Sequence, residues 1–337
     1  MGSKVKQAGT LLLMLMLMVP VLVACGGTTD SGSASTNAGS ANANANAANA
    51  NSNTSSISNT NTTSGSNASV TAPTPFPNTS DSGQLTIAGS SALLPLIQAA
   101  AQQFQQQHPN ARITVTAGGS GAGRTQVCQG KVDIGNSDVP LSADEQQKLN
   151  CASAIQVPVA IQAFAPVANR QGPGSATSLT KQQLQDIFSG KVTNWKDVGG
   201  DDQQIVLINR AKGSGTRANM ARFLFGGDDT KFATGDSEED NSETVKQTVA
   251  QTPGAISYLG FAYLQDPGIA SLAIDGITPT KENIQSGKWP IGGPGYAIIT
   301  GDPTGVKAAF LNYVISPDFQ NSAIFSKLGF VPLAMES

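Results

Sequence analysis

The side chains best suited to chemistry fall in one short stretch, Asn209-Arg210-Ala211-Lys212-Gly213-Ser214-Gly215-Thr216-Arg217, directly after the apolar run 205–208. It holds a fixed cation, two hydroxyls and two glycines. Glycines let a backbone turn tightly with its N–H groups exposed. Residues 218–224 continue with helical spacing, so a helix N-terminus, with its partial positive charge, should follow the glycines. A small tetrahedral oxyanion is the natural guest of such a place. Taken alone, the stretch reads better as an ordinary Gly-Ser loop capped by Thr216.

The same construction recurs. Residues 85–88 spell a short strand, then come Gly89-Ser90-Ser91-Ala92, and Leu93, Leu96, Ile97, Ala100 and Phe104 follow at helical spacing to about residue 107. Ser90 or Ser91 is expected at that helix's N-cap. A strand at 112–116 leads to Gly118-Gly119-Ser120-Gly121-Ala122-Gly123-Arg124, and an apolar strand ends in Gly135-Asn136-Ser137-Asp138. Each turn is a weak signal. Together they put several strand ends and helix N-termini at one cleft, where open α/β sheets bind ligands. Strands and helices go on alternating through 157–167, 181–188, 255–258, 272–274, 296–300 and 306–314, which predicts an α/β fold in two lobes. Trp195 and Trp289 are expected to pack, and the acidic run 236–240 to form a solvated loop.

Composition narrows the chemistry. The net charge is −3 over 337 residues, and aromatics make up 5%, a poor match to nucleic acid. A bound anion must therefore be held by a local site and not by a global field. His108 is the one histidine and reads as a helix end before Pro109. Neither a histidine-based metal site or triad nor a cofactor is expected. A phosphatase or serine hydrolase acting through Ser214 would need a neighbouring base or a metal, and the nucleophile-elbow pattern is absent there. The chain reads as a binding protein with no catalytic residue.

The N-terminus sets the compartment. Lys4 and Lys6 precede an apolar run, 11–23, of signal-peptide length, and Leu22-Val23-Ala24-Cys25-Gly26 resembles a bacterial lipobox. Residues 1–24 are expected to be removed, Cys25 to carry lipid, and 25–83, rich in Ser, Asn and Ala, to form a disordered tether to the outer face of the cell membrane or into a periplasm. Cys128 and Cys151 remain as an even pair in an oxidising setting, expected as a disulfide, with two separate buried thiols as the alternative.

Gly89-Ser90-Ser91-Ala92-Leu93-Leu94-Pro95, Gly119-Ser120-Gly121-Ala122-Gly123, residues 133–138, residues 184–190 with Asn194-Trp195, residues 210–216 and Gly254-Ala255-Ile256-Ser257-Tyr258 occur in this order. In these the chain resembles the substrate-binding proteins of bacterial phosphate-specific ABC importers, of the type II periplasmic-binding-protein fold. The resemblance implies inorganic phosphate as ligand, importer permease subunits as partners and a monomer; a receptor for another small anion and a phosphate sensor that feeds no importer are the alternatives. It implies contacts from Ser91, the N–H of Ala92, Ser120, Asp138, Arg210, Ser214, Gly215 and Thr216. It also implies lobe 1 at 84–165 plus 296–337 and lobe 2 at 166–295, closing about a hinge on the ligand. A carboxylate at position 138 repels a bare anion but accepts a ligand's proton, so it favours phosphate over sulfate; arsenate, also protonated, would pass. The plainer role for Asp138 is to cap a turn before Pro140. Three positions depart from the family: Ser91 for threonine, Ala92 for an aromatic, and Lys212 for the acid that can orient Arg210.

Overall fold

The computed structural model describes residues 70–334. The expected signal segment, Cys25 and most of the expected tether lie outside the described residues. Strand β1 (Gly83–Gly89) buries Leu85 and Ile87. Helix α1 (Leu94–Gln107) follows, with a proline in its first turn, where a missing N–H costs little. Its buried stripe is Leu96, Ile97, Ala100, Ala101 and Phe104, and it ends at His108. Then come β2 (Ala111–Ala117), α2 (Ser120–Cys128), β3 (Ile134–Ser137), α3 (Ala143–Lys148) and the long β4 (Ala154–Asn169). The middle of the chain forms β5 (Ser178–Leu179), α4 (Lys181–Phe188), β6 (Val206–Arg210), α5 (Gly215–Phe225), β7 (Ser237–Glu239), α6 (Ser242–Gln251), β8 (Ala255–Gly260), β9 (Ile269–Ser271) and β10 (Ala273–Ile274). It closes with α7 (Lys281–Gln285), β11 (Gly292–Thr300), α8 (Gly305–Ile315), α9 (Pro317–Gln320) and α10 (Ala323–Lys327).

The main sheet runs β2-β1-β3-β11-β4-β8-β6-β7, with β9 beside β4. β1 pairs parallel with β2 and β3, and β11 lies antiparallel between β3 and β4. β4 joins the two halves: residues 154–163 pair with β11, and 164–168 pair with β8. Each half has its own core. Leu85, Ile87, Phe104, Phe310 and Phe325 lie in one; Phe164, Phe188, Trp195, Tyr258 and Trp289 lie in the other. The fold is the two-lobed α/β arrangement expected. Both tryptophans are buried, and their indole N–H groups donate to Gly254 O (2.9 Å) and Phe164 O (2.8 Å). Cys128 and Cys151 are joined as a disulfide, with Cα atoms 5.3 Å apart.

Three expectations are corrected. The tether does not extend to residue 83, because 70–82 lie along the fold. Val70, Ala72 and Phe76 pack against the first core, and the Asn312 amide exchanges bonds of 2.7 and 2.8 Å with the Phe76 backbone. The segment also forms short bridges, Ala72 N–H to Ala334 O at 2.8 Å and Gly305 N–H to Asn78 O at 2.8 Å. The acidic run is not simply a loop, since 237–239 form the edge strand β7, parallel to β6. Nor do Ser90, Ser91 or Thr216 cap a helix in the N-cap position. Leu93 holds that place in α1, and Ser214 holds it in α5, accepting from Arg217 N–H at 3.2 Å.

Candidate functional site

Five chain turns meet between the lobes. The turn after β1 carries Ser90, Ser91 and Ala92; the N-terminus of α2 carries Ser120; the end of β3 carries Asp138. From the other lobe come Arg210 at the end of β6, with Ser214, Gly215 and Thr216 opening α5, and Ser242 opening α6. All are buried. The strands end here because small polar residues replace the apolar alternation, and the helices start here because hydroxyls and Asn241 satisfy their first N–H groups.

Arg210 is 1% exposed and held by its whole fork. Nε donates to Glu239 O at 3.3 Å, and Nη2 to Asp240 O and Ser91 Oγ, both at 3.2 Å, while Nη1 lies 3.5 Å from Ser242 Oγ. Two backbone carbonyls, one on the last residue of β7 and one just beyond it, therefore orient the guanidinium, the role left open by the departure at Lys212, which is exposed. Behind it, Arg210 N–H donates to Asn209 Oδ1 (2.9 Å), which also accepts from Tyr258 OH (2.6 Å). Arg217 braces the same turn, donating to Arg210 O at 2.8 Å and lying over the Phe232 ring. Burial pulls the Arg210 guanidinium below its ordinary range, but arginine keeps its charge in proteins.

Asp138 faces it, 4% exposed. Its N–H donates to Ser120 Oγ at 3.0 Å. Oδ1 accepts from Ser90 Oγ and from Gln162 Nε2 (3.1 Å), and Oδ2 has a long contact, 3.4 Å, from Thr216 Oγ1. Burial pushes this carboxyl above its ordinary range. The Ser90 and Gln162 bonds, the Arg210 charge and Thr216 oppose that push. Ser90 Oγ also accepts the N–H groups of Ala92 (3.0 Å) and Leu93 (3.1 Å), so the turn before α1 and the carboxylate share one hydroxyl.

The lobes touch through these loops. Gly121 N–H donates to Gly213 O at 2.9 Å, Ser91 Oγ lies 3.0 Å from Ser242 Oγ and accepts from Ser242 N–H at 3.1 Å, and Asn219 Nδ2 reaches Asp138 O at 3.1 Å. Gly213 takes φ 89°, and a Cβ on Gly215 would collide with Ser120 Oγ and Asp138. Ser91, Arg210 and Ser242 thus form one end of the cleft, and Ser120, Asp138, Gly215 and Thr216 the other. Ala92 N–H is turned to Ser90, and Ser214 Oγ to the backbone of Arg217.

Sequence reasoning missed Gln162, Ser242 and the turn after β7. Gln162 carried a signal, being the one polar side chain in the apolar run 157–167. The others contribute backbone groups and a hydroxyl on the first residue of a helix, which side-chain type barely reports.

Such a cleft offers hydroxyls, helix N-terminal N–H groups and one guanidinium to an anion's oxygens, and one carboxylate to a proton on it. It fits an oxyanion that retains a proton. No group of three or more His, Cys, Asp or Glu able to hold a metal occurs among the described residues.

The "PBP superfamily domain" family model matches residues 74–318. The chain is 42% identical over 252 residues to the "Phosphate-binding protein PstS" of Bacillus subtilis (strain 168), covering 75% of this chain and 81% of that protein. It is 29% identical to "Protein SphX" of Synechococcus elongatus, covering 74% and 77%. A putative phosphate ABC transporter substrate-binding protein from Clostridium perfringens, solved with bound phosphate, superposes with a TM-score of 0.69 at 28% identity, over 75% of this chain and 100% of that one. By the family match and the similarity to the Bacillus subtilis protein, the chain belongs to the PBP superfamily, among the PstS phosphate-binding proteins.

Proposed function

We propose that this chain binds inorganic phosphate in the cleft between its lobes and hands it to the permease of an ABC importer. It is a binding protein and not an enzyme. The observation that carries the reading is the opposition of two buried groups with different roles, a guanidinium fixed by carbonyls and a carboxylate with one oxygen held by neutral donors. Arg210 takes phosphate oxygens through its planar fork, with Ser91, Ser120, Ser214 and Thr216 and the N–H of Gly215 replacing the water shell, while the N–H of Ala92 stays on Ser90. Asp138 accepts the phosphate O–H. Sulfate, having no proton at neutral pH, meets an uncompensated carboxylate. What is said of the relatives supports this: the Bacillus subtilis protein is named for phosphate binding, and the Clostridium perfringens protein was solved with phosphate.

The division into lobe 1 (84–165 and 296–337) and lobe 2 (166–295) belongs to the same proposal, with docking on one lobe followed by closure of the other. So do action outside the cytoplasm as a monomer, removal of 1–24 and lipidation of Cys25, which rest on the sequence pattern. No helix among the described residues is long and apolar enough to cross a membrane. The test is phosphate titration of Arg210→Ala beside the unaltered chain. Losing the charge-assisted bonds should weaken binding by about 100-fold or more. An unchanged Kd would overturn the assignment of the cleft.

A further inference from the structure

Gln162 is 3% exposed, in the stretch of β4 just before the strand changes partner. Burying an amide there is costly unless it is hydrogen-bonded, and an aliphatic side chain would serve the packing better. Its place is kept open by Gly295 on β11, where a Cβ would stand 3.0 Å from Gln162 Nε2. The bond this amide makes is to Asp138 Oδ1, at 3.1 Å. The same oxygen accepts from Ser90 Oγ, whose own acceptor capacity is taken by Ala92 and Leu93 N–H groups, so that its proton is directed to the carboxylate. A carboxylate oxygen has two lone-pair sites, and both of those on Oδ1 are filled from within the protein. Oδ2 keeps a single weak contact, from Thr216 at 3.4 Å.

We propose that Gln162 and Ser90 are positioning residues that occupy Asp138 Oδ1 and leave Oδ2 as the acceptor offered to the ligand's proton, so that this neutral pair sets the oxyanion selectivity of the cleft. The proposal rests on the phosphate reading given above. Two neutral donors hold the carboxylate without bringing a second cation that would compete with Arg210 for it. They also favour the ionised form against the cost of burial, the push that raises this carboxyl. The other charged or titratable groups facing it are Arg210 and Tyr263. An Asp138 that has lost a donor takes up a proton at a higher pH. Once protonated, it donates where it used to accept, and sulfate becomes an admissible guest.

The experiment is calorimetric titration of the full chain, freed of bound anion, with inorganic phosphate and with sulfate across about pH 5–8, near and above the ordinary carboxylate range. It compares the unaltered protein with Gln162→Met, Ser90→Ala, Ser90→Thr and Asp138→Asn. Gln162→Met keeps the volume and loses the donor. It should weaken phosphate binding by about tenfold, and sulfate binding should appear at a higher pH than in the unaltered chain. Ser90→Ala should move the onset in the same direction, and Ser90→Thr, which keeps the hydroxyl, should restore it. If Gln162→Met does not fold, the Ser90 pair of variants decides by the same criterion. Should Asp138→Asn accept sulfate while the donor variants keep the pH profile of the unaltered chain, the positioning role is overturned and the phosphate reading stands. Should Asp138→Asn itself keep full discrimination, the reading of Asp138 falls and takes this proposal with it.

Discussion

Asp138 is the residue at which function and stability pull apart. A carboxylate needed as an acceptor must be ionised, and its buried position resists ionisation. The folded chain therefore holds this proton to a higher pH than the unfolded chain does. Between the ordinary carboxylate range and its raised value, the native state binds more protons than the unfolded state, so stability falls as pH rises through that window. The contribution is fully present at the acid end and is lost as pH rises through the raised value. Asp138→Asn removes the titrating group. The ligand-free variant should melt higher than the unaltered protein at neutral pH, and the gap should close as the pH is lowered into the ordinary carboxylate range. Thermal melts across pH check this; a gap that does not vary with pH would mean that the charge is not the cause. A destabilised binding site of this kind is the usual exchange of stability for function. Arg210 carries less conflict, because carbonyls and hydroxyls surround it while its charge survives burial.

At the scale of elements, the site is an interleaving of two glycine loops. The turn opening α2 and the turn opening α5 approach closely enough for Gly121 N–H to reach Gly213 O, and Gly215 lies where a side chain has no room. Gly215→Ala would push Ser120 and Asp138 apart without touching either core. It should weaken phosphate binding by about 100-fold or more, since misplacement of a ligating loop costs orders of magnitude, while cooperative unfolding is retained. Titration together with a thermal melt tests this, and native affinity in the variant would show that the close approach is dispensable. The strand-turn-helix units around 85–93, 112–124 and 205–217 were legible in the sequence because apolar alternation gives way to small polar residues and then to helical spacing. β7 was not. It is short, acidic and at an edge, and what it supplies are ladder bonds and the carbonyls of Glu239 and Asp240 at its end, which any side chain could accompany. Gln162 was visible as an oddity in an apolar run, but its meaning depends on the side chain reaching past Gly295 of β11 to Asp138 after β3, a contact between strands that are not neighbours in the sheet. Residues 70–82 were hidden by a composition typical of disorder, in which Val70, Ala72 and Phe76 are the anchors.

At the scale of the molecule, the two lobes are joined along β4 and share the cleft, and the N-terminal segment is fastened to the lobe that holds α8. Phe76, half-buried against that core, is the main apolar anchor of the strap. Phe76→Ala should cost about 1–3 kcal/mol in denaturant unfolding and leave phosphate affinity unchanged, because the strap lies on the core and away from the cleft. A variant as stable as the unaltered chain would mean that the strap adds nothing to the fold. Whether the cleft takes a protonated oxyanion is decided by calorimetric titration of the full chain, freed of anion, with phosphate and then sulfate at neutral pH. Saturable 1:1 phosphate binding at micromolar affinity or tighter, about −8 kcal/mol or stronger, is expected, with little heat from sulfate. Sulfate binding as tightly as phosphate, or neither anion binding, would contradict it.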